Sequence, residues 1–62
     1  MLTKAELAVA NLVACGETNE SISKRRKTSV RTVANQVAAI MRKLGARSRV
    51  HVASIVQGRS SQ

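Results

Sequence analysis

The sequence predicts a small all-α domain built from four short helices. Three observations carry that expectation. The 62 residues contain no Pro and no aromatic side chain, and the apolar residues are Ala, Val, Leu and Ile with two Met. Such a palette suits short helices packed by aliphatic side chains better than a β-sandwich or a disulfide scaffold. Apolar residues recur at spacings of three and four, the period of a helix with one buried face. Thr and Ser precede these stretches and Gly follows two of them, as expected of helix starts and stops. A chain of this length supports one domain with a modest core and marginal stability.

The first helix is expected over residues 4–15. Thr3 and Glu6 in "LTKAEL" form a capping box, in which the hydroxyl accepts the Glu6 amide and the carboxylate reaches back. Ala5, Val9, Leu12 and Val13 supply its inner stripe, and Gly16 stands where a left-handed residue ends a helix. The second helix, 19–26, starts after Thr18, with Glu20 in its first turn, where a negative charge suits the helix dipole. Ile22 should face inward. The segment then becomes the charge run Lys24, Arg25, Arg26, Lys27.

Ser29 opens the third helix, 30–44. Val33, Val37, Ile40 and Leu44 form one apolar stripe flanked by Val30 and Met41, and Gly45 ends it. The fourth helix, 49–57, is capped by Ser48 and turns Val52, Ala53 and Val56 inward. Residues 1–57 are therefore read as the domain and 58–62, "GRSSQ", as a frayed tail with nothing to bury.

Charge narrows the function. Eleven Lys and Arg face three acids, for a formal net charge of +8. All three acids, Glu6, Glu17 and Glu20, lie in the first third, and every charged residue beyond Glu20 is positive. A one-signed surface repels itself and points to an anionic partner, with nucleic acid ahead of a membrane surface. The longest apolar run, "LAVANLVA", is too short to span a bilayer, and no secretory leader is expected from a start carrying Lys4 and Glu6. With Cys15 alone, no internal disulfide can form and a reducing cytoplasm is the simplest setting; Cys15 is read as a small packed side chain. There is no Asp, His and Cys occur once each, and the three Gly are isolated, so no catalytic set, metal site or cofactor cradle is expected.

Two short helices joined by a brief turn, the second longer and basic at both ends, suggest a helix-turn-helix. Opposite its apolar stripe, the third helix carries Arg31, Asn35, Ala38 and Arg42, with Ala34 and Ala39 beside them. A helix entering the major groove needs little bulk where its backbone nears the base edges, and the Ala residues provide that. Asn35 can pair bidentately with adenine, and an Ala methyl can touch the thymine methyl. Lys24, Arg25, Lys27 and Lys43 then suit phosphates, and "KRRK" is read as a phosphate clamp rather than a solvated turn. His51 has no partner at ligand spacing and is read as a surface or dimer-face residue.

The residues that complete this picture are "LT..E" at Leu2, Thr3 and Glu6, "G.TN..I" from Gly16 to Ile22, "S..TV" from Ser29 to Val33, and "KLG..SR" from Lys43 to Arg49. In that order they make the chain resemble the LuxR-type DNA-binding domain, from Leu2 to about Ile55. The resemblance implies a four-helix domain of a bacterial transcription regulator whose third helix reads duplex DNA. It also implies pairing of two subunits through the fourth helix, where Val50, His51 and Ser54 would form the dimer face, and an N-terminal sensor or receiver domain in the whole regulator. Thr32 becomes a phosphate donor, joined by Thr18 and Ser29 at the helix starts. The chain departs from the family at Ala34 and Ala38, where Lys is common, at Glu20, and at Ser23, Arg26 and Thr28, which replace apolar or small residues. The missing Lys at Ala34 and Ala38 keeps in view a protein-interaction module without DNA binding; two other rivals are promoter recognition like the last region of a sigma factor, which shares the helix-turn-helix, and a membrane-surface binder.

Overall fold

The computed structural model describes residues 1–60, with side chains described through Gly58. The chain forms α1 (Lys4–Ala14), α2 (Asn19–Arg26), α3 (Val30–Leu44) and α4 (Arg49–Ser60). Each helix starts as its cap residue dictates. Thr3, Thr18 and Ser29 each accept the amide three residues on with their side-chain oxygens, which satisfies a donor the helix cannot pair internally. At α1 the box is complete, because the Glu6 carboxylate accepts the Thr3 amide at 3.0 Å. Ser48 does the same for α4, its Oγ accepting the His51 amide at 3.1 Å.

The first three helices end alike. After α1 the Gly16 amide donates to the Val13 carbonyl and the Glu17 amide to that of Leu12. After α3 the Gly45 amide reaches Arg42 and the Ala46 amide reaches Met41. These are Schellman endings, in which two orphan carbonyls are paired by one left-handed residue; Gly16 at φ 87° and Gly45 at φ 67° take that conformation freely. After α2 the same pattern recurs, with the Thr28 amide on the Ser23 carbonyl, but the left-handed residue is Lys27, at φ 54°.

Val9, Ala10, Val13, Ile22, Val33, Val37, Ile40 and Val52 form the buried core. Leu2, Leu12, Met41, Leu44, Ala46 and Val56 pack on it part-buried. α1 packs chiefly on α4, α2 packs on α3, and α3 also meets α1 and α4. The expected inner stripes of α1 and α3 are therefore the real ones, except that Ala5 is only half-buried and lies outside the core, which Ala10 joins. Val30, expected to flank the α3 stripe, is 46% exposed; it is the first residue of the helix.

Two further expectations need correction. Cys15 is exposed, because it caps α1 at its end rather than lying on the stripe. The fourth helix does not stop at residue 57 but continues to Ser60. Gly58, unlike the other two glycines, has no positive φ, and the Gln57 Nε2 donates to the Ala14 carbonyl at 3.2 Å, pinning the last turns of α4 to the end of α1. Residues 61–62 of the expected tail lie outside the described residues. Where Arg26, Thr28 and Ser23 replace apolar or small residues, α2 still runs unbroken from Asn19 to Arg26. Arg26 is exposed and Thr28 half-buried, while Ser23 is buried with its hydroxyl donating to the Glu20 carbonyl at 2.6 Å.

Candidate nucleic-acid interface

The candidate site is the outward face of α3 with the α2–α3 corner beside it. A rotation of about 100° per residue places Arg31, Asn35, Ala38 and Arg42 in one row opposite Val33, Val37 and Ile40. All four of the former are exposed and all three of the latter buried. Ala34 is exposed beside the row, and Ala39 is half-buried at its edge. Two grooves among the described residues, about 380 and 410 Å³, are lined mainly by α1 and α4 and the chain beside them, with Leu44 of α3 at the first. Neither includes a residue of this row. The exposed side of a single helix is convex, and Ala34 and Ala38 keep this one slender, a shape that fits into a groove rather than one that receives a ligand.

The expected backbone-holding residues fall into two groups. Lys24 and Lys27 are exposed and form no ion pair among the described residues, and the same holds for Arg31 and Arg42 of the helix row. Arg25 and Lys43 are engaged within the molecule. Arg25 Nε lies 3.2 Å from Glu17 Oε1, so the charge run does have an acid beside it, eight residues earlier and brought near by the α1–α2 link. Lys43 Nζ lies 2.8 Å from Glu6 Oε1, the same oxygen that closes the α1 capping box. Glu6 could pair with either Lys43 or Arg49; Lys43 takes the place, while Arg49 bonds to Asn19 and Glu17.

Thr18 and Ser29 are spent first as caps. The Ser29 hydroxyl donates to Thr32 Oγ1 at 2.9 Å, so Thr32 keeps its own hydroxyl hydrogen for an outside acceptor.

Glu17 and Arg49 are the pair that sequence patterning missed. The Glu17 carboxylate accepts from the Ser21 hydroxyl and from Arg25. Its carbonyl accepts Arg49 at 2.7 Å, while the other Arg49 nitrogen donates to Asn19 Oδ1 at 2.7 Å. One guanidinium thereby ties the start of α4 to the link before α2. The two contacts span 30 and 32 positions and leave no periodic trace.

Hydrogen bonds from Ser21 and then Arg25 hold the Glu17 carboxyl below its ordinary range, and those from Lys43 and then the Thr3 amide do so for Glu6. On α4, Val50 is 79% exposed, His51 and Ser54 are exposed, and His51 Nδ1 accepts the Arg47 amide at 3.1 Å. Among the described residues no cluster of metal-ligating side chains occurs, and no helix is long and apolar enough to cross a membrane.

The pairing of α2 and α3 across a three-residue corner, with α3 turned outward, defines a helix-turn-helix domain. Residues 1–56 match the model of the family described as bacterial regulatory proteins, luxR family, and the chain belongs to that family. Its domains are DNA-binding transcription-regulatory modules, not enzymes. No curated protein and no solved structure matches the chain significantly.

Proposed function

We propose that this domain binds specific double-stranded DNA sequences with α3 in the major groove. The observation that carries the reading is the exposed row Arg31, Asn35, Ala38 and Arg42 on a convex helix with no acid. A major groove about 12 Å wide accepts an α-helix of about that diameter, and the Ala positions keep it slim. Lys24, Lys27 and Thr32 are placed beside the row for phosphates, with Thr18 and Ser29 offering hydroxyls at the helix starts. Arg25 and Lys43 join them only by exchanging Glu17 and Glu6 for phosphate. A single Asn per subunit discriminates weakly, so two copies pair through α4, with Val50, His51 and Ser54 at the contact. In the whole regulator, a sensor or receiver domain controls that pairing, and the setting is the cytoplasm, on the nucleoid.

The rival reading, a protein-interaction module that has lost DNA binding, draws on the same two engaged cations and on Ala at positions 34 and 38. Titration of duplex DNA followed by backbone chemical shifts at two salt concentrations separates the two. DNA binding requires shifts at Arg31, Asn35 and Arg42 that weaken steeply with salt. Their absence would refute it.

A further inference from the structure

Resting on the reading that α3 enters the major groove, we infer that the preferred half-site has an A·T core, recognised by the Asn35 amide and by thymine methyl groups set against Ala34 and Ala38. The inference follows from what the outward face holds and what it lacks.

Each base pair shows the major groove a distinct set of groups, and each set calls for a different side chain. Adenine offers one donor and one acceptor side by side, which a carboxamide matches. α3 has two carboxamides, Asn35 and Gln36. Gln36 Oε1 is buried without a hydrogen-bond partner, so that amide is turned from the groove. Asn35 is exposed and is left as the one adenine reader.

Cytosine offers a donor that calls for a carboxylate, and α3 has none. Guanine calls for Arg or Lys, which on this row stand only at Arg31 and Arg42, its two ends. Eleven residues separate them, about 16 Å of helix at 1.5 Å per residue. That span covers no more than about five base pairs at 3.4 Å each. Guanine or phosphate therefore belongs at the margins, and the interval between falls to Asn35 and alanine methyls.

The Ala residues act in both directions. A thymine methyl against Ala34 or Ala38 removes apolar surface from water on both sides. A G·C pair at the same place presents a polar edge that would lose water and find no partner, a cost with no return. The middle of the row thus favours A·T and penalises G·C without an attractive contact for every base.

The test is selection from random duplexes with the 62-residue chain and its Asn35→Ala variant. Replacement of single thymines by deoxyuridine in the selected duplex follows, which deletes the methyl and keeps the pairing. An A·T core is expected, with the adenine preference falling roughly tenfold or more in Asn35→Ala. At least one uracil position should weaken binding about fourfold, the effect of one buried methyl. That thymine-to-uracil ratio should approach one in Ala34→Gly or Ala38→Gly, and because it is measured within one variant, any loss of folding cancels. A G·C core, or uracil substitution without effect at every position, overturns the inference and leaves DNA binding standing. Absence of salt-sensitive binding to any duplex overturns both.

Discussion

Lys27 shows how much a single backbone conformation can decide. At φ 54° and ψ 49° an L-residue with a Cβ is crowded by its own carbonyl, at a cost of roughly 1–2 kcal/mol. Gly would fit without strain, as at Gly16 and Gly45. Lys27→Gly should therefore stabilise the fold by about 1 kcal/mol, read as a higher denaturant midpoint with unchanged slope. It should at the same time weaken DNA binding, by removing an exposed cation at the corner. A gain in stability without a loss in affinity would show that the Lys27 ammonium touches no phosphate.

The two engaged carboxylates make a second residue-scale prediction. Both are held below the ordinary value of 4.5 in the folded state, so the unfolded chain binds more protons in acid. Their stabilisation is present at neutral pH and drains away as the pH falls below about 4.5. Glu6→Gln should lower stability at neutral pH and flatten the acid limb of a stability–pH curve. It should also free Lys43 and strengthen DNA binding. The left-handed turn at Lys27 was not visible in "KTSVRT", because it breaks the Gly preference, and only the fold selects Lys43 over Arg49 as the partner of Glu6, 37 positions away.

At the scale of the element, α2 is the instructive helix. Its eight residues are too few to hold a helix in water by propensity. It persists through the Thr18 cap, the Ser23 hydroxyl bond and the anchoring of Ile22, which is fully buried. Ile22→Ala should cost about 2–5 kcal/mol, against a total stability for a domain this small of roughly 3–9 kcal/mol at the usual 0.05–0.15 per residue. Thermal melting of that variant should show most of the margin gone. An unaffected midpoint would mean that α2 is dispensable.

Local chemistry was the legible part. The caps at Thr3, Thr18, Ser29 and Ser48, the stops at Gly16 and Gly45, and the stripe of α3 all act within a few residues, and each is present. The continuation of α4 through Gly58 was not legible, because it depends on packing against α1 and on Gln57 reaching Ala14. Exposure of Cys15 was missed for a related reason: the helix ended one residue before the sequence implied.

For the whole molecule, affinity for an anionic polymer should track the number of phosphates neutralised, with log affinity falling about 0.9 per phosphate against log salt. Lys24→Ala should weaken every sequence alike and reduce that slope by about one. A change in which sequences are favoured would instead place Lys24 at a base edge.

The base preference proposed for α3 was partly legible from its residue types. The turning away of Gln36 was not, since two adjacent amides look equivalent until the helix is docked on its core. The engagement of Arg25 by Glu17 likewise required the tertiary structure.

The segregation of charge has a kinetic consequence as well. Glu6, Glu17 and Glu20 occupy α1, the link after it and the first turn of α2, while Arg31 and Arg42 stand on a helix without acids. A body charged so unevenly experiences a torque as it diffuses toward a polyanion. It tumbles into alignment before contact, and fewer collisions are wasted on the wrong side. Raising the ionic strength should slow arrival more than it hastens departure.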